Sequence, residues 1–224
     1  MKRIFGVLAL ALVFFSACKK EDKGKDKDTT PVEETPLFNE SDLIGYWACY
    51  ESVEQNGTVT QSPPYAFAAY SDHTFQYSSE IIHSPCTWEI DGDDLSVEID
   101  GVKKTTLTQL DGKHLTLKQD WHGDVYTDSY INISRILPGT WKISLPGTTY
   151  IVEIEDNGHS SWLREGTTDV VYYDWTLDLN TGRVVVCFGD EGSDWYNPLT
   201  LKSVSDDHFE AKNKNDSTVT LERQ

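Results

Sequence analysis

The sequence predicts an all-β protein: two tandem, small antiparallel β-barrels of about eight strands each, carried behind a disordered, charged tether. Three observations lead there. Short runs rich in Val, Ile, Thr, Tyr and Trp alternate with turn clusters about every eight to twelve residues, and helical periodicity is nearly absent. The chain writes Leu-x-Gly-x-Trp twice, as LIGYWACY at 43–50 and LPGTWKIS at 137–144, so that Trp47 and Trp141 stand 94 positions apart. The same offset aligns LTQLDGKHLTLK (107–118) with LKSVSDDHFEAK (201–212), pairing Leu110 with Val204, His114 with His208 and Leu115 with Phe209. Similarity this long at one period marks a tandem repeat.

Residues 1–17 read as an address. Met1, Lys2 and Arg3 give a basic start, and IFGVLALALVFF is an apolar run too short for a stop-transfer helix. Ser16-Ala17-Cys18 follows, and a small-residue pair directly before a cysteine resembles the lipobox of bacterial lipoproteins. That resemblance implies cleavage before Cys18, acylation of its thiol and attachment to a lipid bilayer. Residues 18–38 then form a charged tether with almost nothing apolar to bury, so it is expected to be disordered. Its eighteen residues from Lys19 to Pro36 span roughly 25 Å by random-coil scaling. A charged run after the lipidated cysteine also resembles surface-export signals of Bacteroidetes-type lipoproteins. The expected location is therefore the outer membrane, on its periplasmic face or at the cell surface.

The body divides into residues 39–136 and 137–224. Strand alternation is clean in VVYYDWTLDL, where Val171, Tyr173, Trp175, Leu177 and Leu179 share one face. Turns are expected at DGDD (91–94), DGK (111–113), DNG (156–158), NTG (180–182) and SDD (205–207). Trp88 in WEIDGDDLSVEI aligns with Trp175, and SYINISR (129–135) with STVTLER (217–223). Closing each unit into a barrel removes its exposed strand edges. One larger barrel made from both halves is the rival architecture.

A Gly-x-Trp on the first strand and an Arg on the last resemble the lipocalin signature, in which the tryptophan plugs one end of the barrel and the arginine lies across its ring. Here the matching residues are Gly45, Trp47 and Arg135 in the first unit, and Gly139, Trp141 and Arg223 in the second. Parity agrees: Ile131, Ile133 and Arg135 fall on one strand face, as do Val219, Leu221 and Arg223. Two complete Trp–Arg pairs favour two barrels over one. The nearest resemblance is to short lipocalin-like domains of Bacteroidetes-type lipoproteins. About ninety residues per unit implies short strands and a shallow barrel.

Three cysteines remain beyond Cys18, in an oxidising compartment. Cys49 lies two residues after Trp47 and Cys86 two before Trp88, so both are expected to face the core, with Cys49–Cys86 as the candidate disulfide; two buried thiols are the alternative. Trp47, Trp88, Trp141 and Trp175 are assigned to barrel cores. Trp121, Tyr126, Trp162, Trp195 and Tyr196 are the candidate ligand contacts: the three tryptophans fit the core less well than the other four, and QDWHGDVY and GDEGSDWYNP place Trp121 and Trp195 in polar hairpin loops, where an aromatic is the better binding candidate.

Residues 37–224 hold 31 acidic and 12 Lys and Arg residues, a net charge near −19. Such a surface excludes nucleic acid as a partner, because phosphates need basic contacts. The six histidines lack metal-site spacing, and GDEGSD (189–194) is an acidic hairpin without a complete calcium-loop pattern. No metal and no cofactor is expected. The chain contains no Gly-x-Ser-x-Gly elbow, P-loop or dinucleotide fingerprint, so no catalytic residue is assigned and a non-enzyme is expected. Two functions remain: binding a small hydrophobic or amphipathic ligand or a glycan, or acting as a protein-interaction module of an outer-membrane complex, with solid barrel cores and a protein partner.

Overall fold

A computed structural model describes residues 38–61, 65–77, 86–98, 102–121, 123–180, 182–189 and 196–224. Cys18, the signal segment and nearly all of the tether lie outside the described residues, as do Trp195 and the side chains of Cys86 and Trp121.

The first unit opens with a single helical turn, α1 (Glu40–Leu43), capped by Asn39, whose side chain accepts from the Ser41 amide. Nine strands follow: β1 (Gly45–Glu54), β2 (Val59–Gln61), β3 (Ala66–Ala69), β4 (Thr74–Tyr77), β5 (Cys86–Asp91), β6 (Asp94–Glu98), β7 (Val102–Leu110), β8 (His114–Trp121) and β9 (Asp124–Asn132). They pair antiparallel in sequence, and β9 returns to β1 to close the wall. The strand β2 pairs with the far half of β1 while β3 takes the near half, so β1 and β3–β9 form an eight-stranded barrel with β2 as a flap.

A second helical turn, α2 (Ile133–Ile136), leads into β10 (Gly139–Leu145), β11 (Thr148–Ile154), β12 (His159–Arg164), β13 (Val170–Asn180), β14 (Arg183–Phe188), β15 (Asn197–Val204), β16 (His208–Lys212) and β17 (Thr218–Arg223). These eight close into a second antiparallel barrel. All five expected turns fall between paired strands. The two-barrel architecture is therefore the one the repeat implied.

The repeat is visible in detail. A β-bulge interrupts β7–β8 between Leu107 and Gln109, and another interrupts β15–β16 between Leu201 and Ser203, at the same 94-residue offset. The segment Ile133–Leu137 is the leading turn of the second unit, as α1 is of the first. It packs Ile133, Ile136 and Leu137 into the second core.

Both interiors are filled by side chains. Trp47, Phe67, Phe75, Trp88, Leu95 and Leu115 dominate the first. Trp141, Ile143, Val152, Trp162, Phe188 and Phe209 dominate the second. Burial of this apolar area, at about 25 cal/mol per Å², is the main force holding each barrel closed. The second core does not end at its own wall: Ala48, Ala66 and Ile131 of the first barrel belong to the same apolar cluster, with Tyr46 and Tyr50 against it. Ile131 was expected inside the first barrel. It faces the second instead, because Tyr130 and Asn132 take the inward positions of β9.

Candidate functional site

The repeated Leu-x-Gly-x-Trp motif builds a barrel end, not a ligand site. Trp47 and Trp141 are fully buried. Each donates its indole N–H to the carbonyl of the motif leucine, Leu43 or Leu137, at 2.6 Å. Gly45 and Gly139 have φ of +138° and +136°, a conformation that side-chain-bearing residues rarely adopt. Each also lies under a residue of the closing strand. A Cβ at Gly139 would collide with the Arg223 guanidinium, and one at Gly45 with the Asn132 amide.

Those two collisions identify the true counterpart of Arg223. The register pairs Trp141 with Arg223 and Trp47 with Asn132. Arg223 covers the Trp141 ring at 4.4 Å and donates to the carbonyls of Ile136, Pro138 and Asp206. Asn132 makes the equivalent bond to the Ile44 carbonyl, and its buried Oδ1 has no hydrogen-bond partner among the described residues.

Arg135, expected to cover Trp47, lies on α2 beyond the end of β9. Its guanidinium reaches Ser41 O at 2.7 Å and Asp42 Oδ1 at 3.5 Å, on the protein surface. The sequence alignment slipped by three residues, because SYINISR resembles STVTLER in letters while the strand breaks into α2 after Asn132.

The expected Cys49–Cys86 bridge is also corrected. Cys49 is a free, buried thiol that donates to Glu51 O at 3.3 Å, and burial pushes its ionisation far up. Following the register across the wall, Gly45 pairs with Ala69, Ala69 with Phe75 and Phe75 with Cys86. Cys86 is thus level with Gly45, three strands away and four residues short of Cys49. Neighbouring strands alone are spaced by about 4.8 Å, so the two backbones sit beyond disulfide reach.

The unusual chemistry lies at the other end of the first barrel. Asp128 on β9 is 1 % exposed and points inward. Ser52 Oγ donates to its Oδ1 at 2.5 Å, and Gln119 Nε2 donates to its Oδ2. A β-bulge between Cys49 and Glu51 turns Ser52, rather than Glu51, toward Asp128. Burial raises the Asp128 pKa, while the Ser52 and Gln119 bonds hold it down. Tyr77, Tyr130 and Tyr126 feel this carboxylate. Burial, then Tyr65 and Asp128, push the Tyr77 hydroxyl to about 12. Tyr130 is raised by its complete burial, then by Cys49 and Asp128. Tyr126 is raised by burial, then by Glu54 and Asp124 at the rim.

This polar end combines one carboxylate, an amide, a hydroxyl and several phenols. Such a set can orient a hydroxyl-bearing or amphipathic molecule. It contains no paired carboxylates among the described residues. Nor do those residues include a group of three His, Cys, Asp or Glu side chains placed to hold a metal.

Of the five candidate ligand contacts, Tyr126 belongs to this end, and Trp121 stands beside it at the β8–β9 turn, paired with Asp124. Trp162 is a core residue: it is 6 % exposed and donates to Ser160 Oγ. In sequence it fits the core poorly, but β12 alternates and turns Ser160 and Trp162 inward together. Tyr196 lies on the second barrel, with its hydroxyl 3.3 Å from Cys187 Sγ. The candidates among the described residues therefore do not form one site. Sequence reasoning missed Ser52, Gln119 and Asp128. The available signal was Tyr126-x-Asp128-x-Tyr130, an acid in the inward column of a strand.

No protein-family model matches the chain, and no curated protein does.

Proposed function

We propose that this chain is a membrane-anchored, non-catalytic binding protein. In this reading Cys18 carries the lipid, the tether holds the body off an outer-membrane surface, and the polar end of the first barrel receives a small amphipathic ligand or a glycan. The lipocalin-like resemblance supports a barrel used for binding. The observation that carries the proposal is the contrast inside the barrels: Asp128 and Ser52 are buried together with a half-buried Gln119 bonded to the carboxylate, where the second barrel places Val219 at the Asp128 position. A buried carboxylate costs stability, which hydrogen bonds from Ser52 and Gln119 offset only in part, so an apolar residue would serve the fold alone as well or better. Native mass spectrometry of protein extracted mildly from its own cells tests the reading. The expected result is extra mass on the folded body beyond the lipid on Cys18, lost in Asp128→Asn. A bare body, with no Tyr or Trp fluorescence response to lipid and glycan panels, would overturn it.

A second reading is the interaction module, favoured by two observations: both barrel interiors are filled by side chains, and three apolar residues stand exposed together on the second barrel. Val170, Val171 and Tyr172 are consecutive on β13 and exposed to 43, 46 and 77 %. Crosslinking in intact cells through a photoreactive residue at position 172 would give a defined partner if this reading holds, and only self-labelling if it does not.

A further inference from the structure

Where the two barrels meet there is a shallow crevice, lined from the first barrel by Tyr65 and Ala66 and from the second by Arg183, Val184, Leu201 and Lys202. The crevice is open to solvent, and its narrow inner part, about 10 Å³, has room for a single water or one oxygen of a larger group. The charges along it run against the rest of the molecule. The body carries a large excess of acids, yet the two charged side chains here are both cations.

Neither cation has a carboxylate partner among the described residues. Arg183 Nη1 donates to the carbonyls of Leu201 and Lys202, at 3.4 and 2.9 Å. Those bonds anchor the guanidinium across β14 and β15 beside the β-bulge, so it is held in place rather than waving in solvent. They use one nitrogen only. Nε and Nη2, the Lys202 ammonium and the Tyr65 hydroxyl have no hydrogen-bond partner among the described residues. Partial burial works against the Arg183 charge, with no acid offsetting it.

We infer that this crevice binds a small oxyanion group, a carboxylate or a phosphate, between the two barrels. The free edge of a fixed guanidinium presents parallel N–H donors that match two oxygens of such a group, and a lysine adds a point charge. The apolar walls of Ala66, Val184 and Leu201 leave room for little beyond the anionic head. A group bound there touches both barrels and holds them together. The net negative field of the body opposes anion approach, so binding is weak and strengthens as salt screens the field. Chloride lacks the two-oxygen geometry and serves as the control.

The test is NMR of the full-length protein, following the Arg183 guanidinium during separate titrations with sodium acetate, inorganic phosphate and chloride at constant ionic strength. Saturable shifts of Arg183 with acetate or phosphate, absent with chloride, are expected. Whichever of the two saturates first identifies the source chemistry. Lys202→Gln leaves the Arg183 anchor intact and is expected to weaken binding about tenfold, while Arg183→Gln abolishes it. Equal shifts with chloride, shifts unchanged in Lys202→Gln, or no shift at tens of millimolar would each overturn the inference. A fold check by amide spectra accompanies both variants.

Discussion

The two barrels share a wall plan and differ in what they put inside it. Matching them through their registers sets Cys49 against Ile143, Tyr77 against Trp162, Asp128 against Val219 and Tyr130 against Leu221. Trp88 and Trp175 also correspond: each donates its indole N–H to the carbonyl at the end of a strand two places back, Tyr70 or Glu155. The ends built by the repeated motif are thus alike, and the opposite ends are not. In the second barrel Val219 and Leu221 are fully buried among apolar side chains. In the first, the same positions hold an acid and a phenol. Hydrogen-bonded plugs are needed by any closed small barrel, so they are common to both. A polar interior is needed by neither, which makes it the feature that asks for a functional explanation.

The hardest test of this contrast is to move it. Val219→Asp would place a carboxylate where no Ser52 or Gln119 stands ready. It is expected to cost about 3–5 kcal/mol in urea denaturation, the scale for an uncompensated buried charge. A loss below about 1 kcal/mol would mean the second interior tolerates polarity as well as the first, and the contrast would lose its meaning.

The shared end should respond equally on both sides. Trp47→Phe and Trp141→Phe each remove a buried indole N–H and leave the Leu43 or Leu137 carbonyl unpaired, at an expected cost of about 2–3 kcal/mol apiece. Unequal losses, read from the same melts, would show that the repeat is conserved in shape but not in energetics. Arg223→Met should then cost about 1–2 kcal/mol through the lost ring contact and carbonyl bonds, and Arg135→Met less than about 1, because its ion pair with Asp42 is solvent-exposed. The reverse order would restore Arg135 as the plug.

Asp128→Asn is expected to change stability by no more than about 1 kcal/mol at neutral pH, and in the favourable direction. Its pH dependence is the sharper signal. The folded-state pKa of Asp128 is raised, so ionising it costs the fold stability as pH climbs from the ordinary carboxylate range through the raised value. Wild type should therefore gain on the asparagine variant as pH falls through that window. Paired denaturation curves at acid and neutral pH would show a constant gap if Asp128 titrates normally.

The smallest effect concerns the joint between barrels. His114 Nε2 lies 2.9 Å from Asp206 of the second barrel, and its Nδ1 lies 3.4 Å from Asp111. These carboxylates raise its pKa against the opposing effect of burial. That contribution is complete below the unfolded histidine pKa and fades as pH rises through the folded value. His114→Gln should cost less than about 1 kcal/mol below that range, after solvent screening, and nothing measurable in alkali.

Much of the architecture was legible in the chain. Alternation, turn residues and the 94-residue offset are local or periodic facts, and the two barrels with their five turns follow from them. The motif glycines and tryptophans were legible too, because their roles are fixed by backbone conformation and volume. Asp128 was not. An acid on a β-strand reads as outward until a bulge elsewhere turns Ser52 to face it. Trp162 was misplaced for the converse reason: a serine on each of the two preceding positions hides that Ser160 and Trp162 share the inward face.

What the sequence by itself determined is the all-β class, the positions of the turns and the duplication. Each depends on residues near one another or on a repeat that can be counted. Tertiary structure decided the pairing of Trp47 with Asn132, the separation of Cys49 from Cys86, and the seating of Ala48, Ala66 and Ile131 against the second core. These depend on register across a closed wall. A shift of two residues there leaves the hydrophobic pattern almost unchanged while exchanging every cross-strand partner.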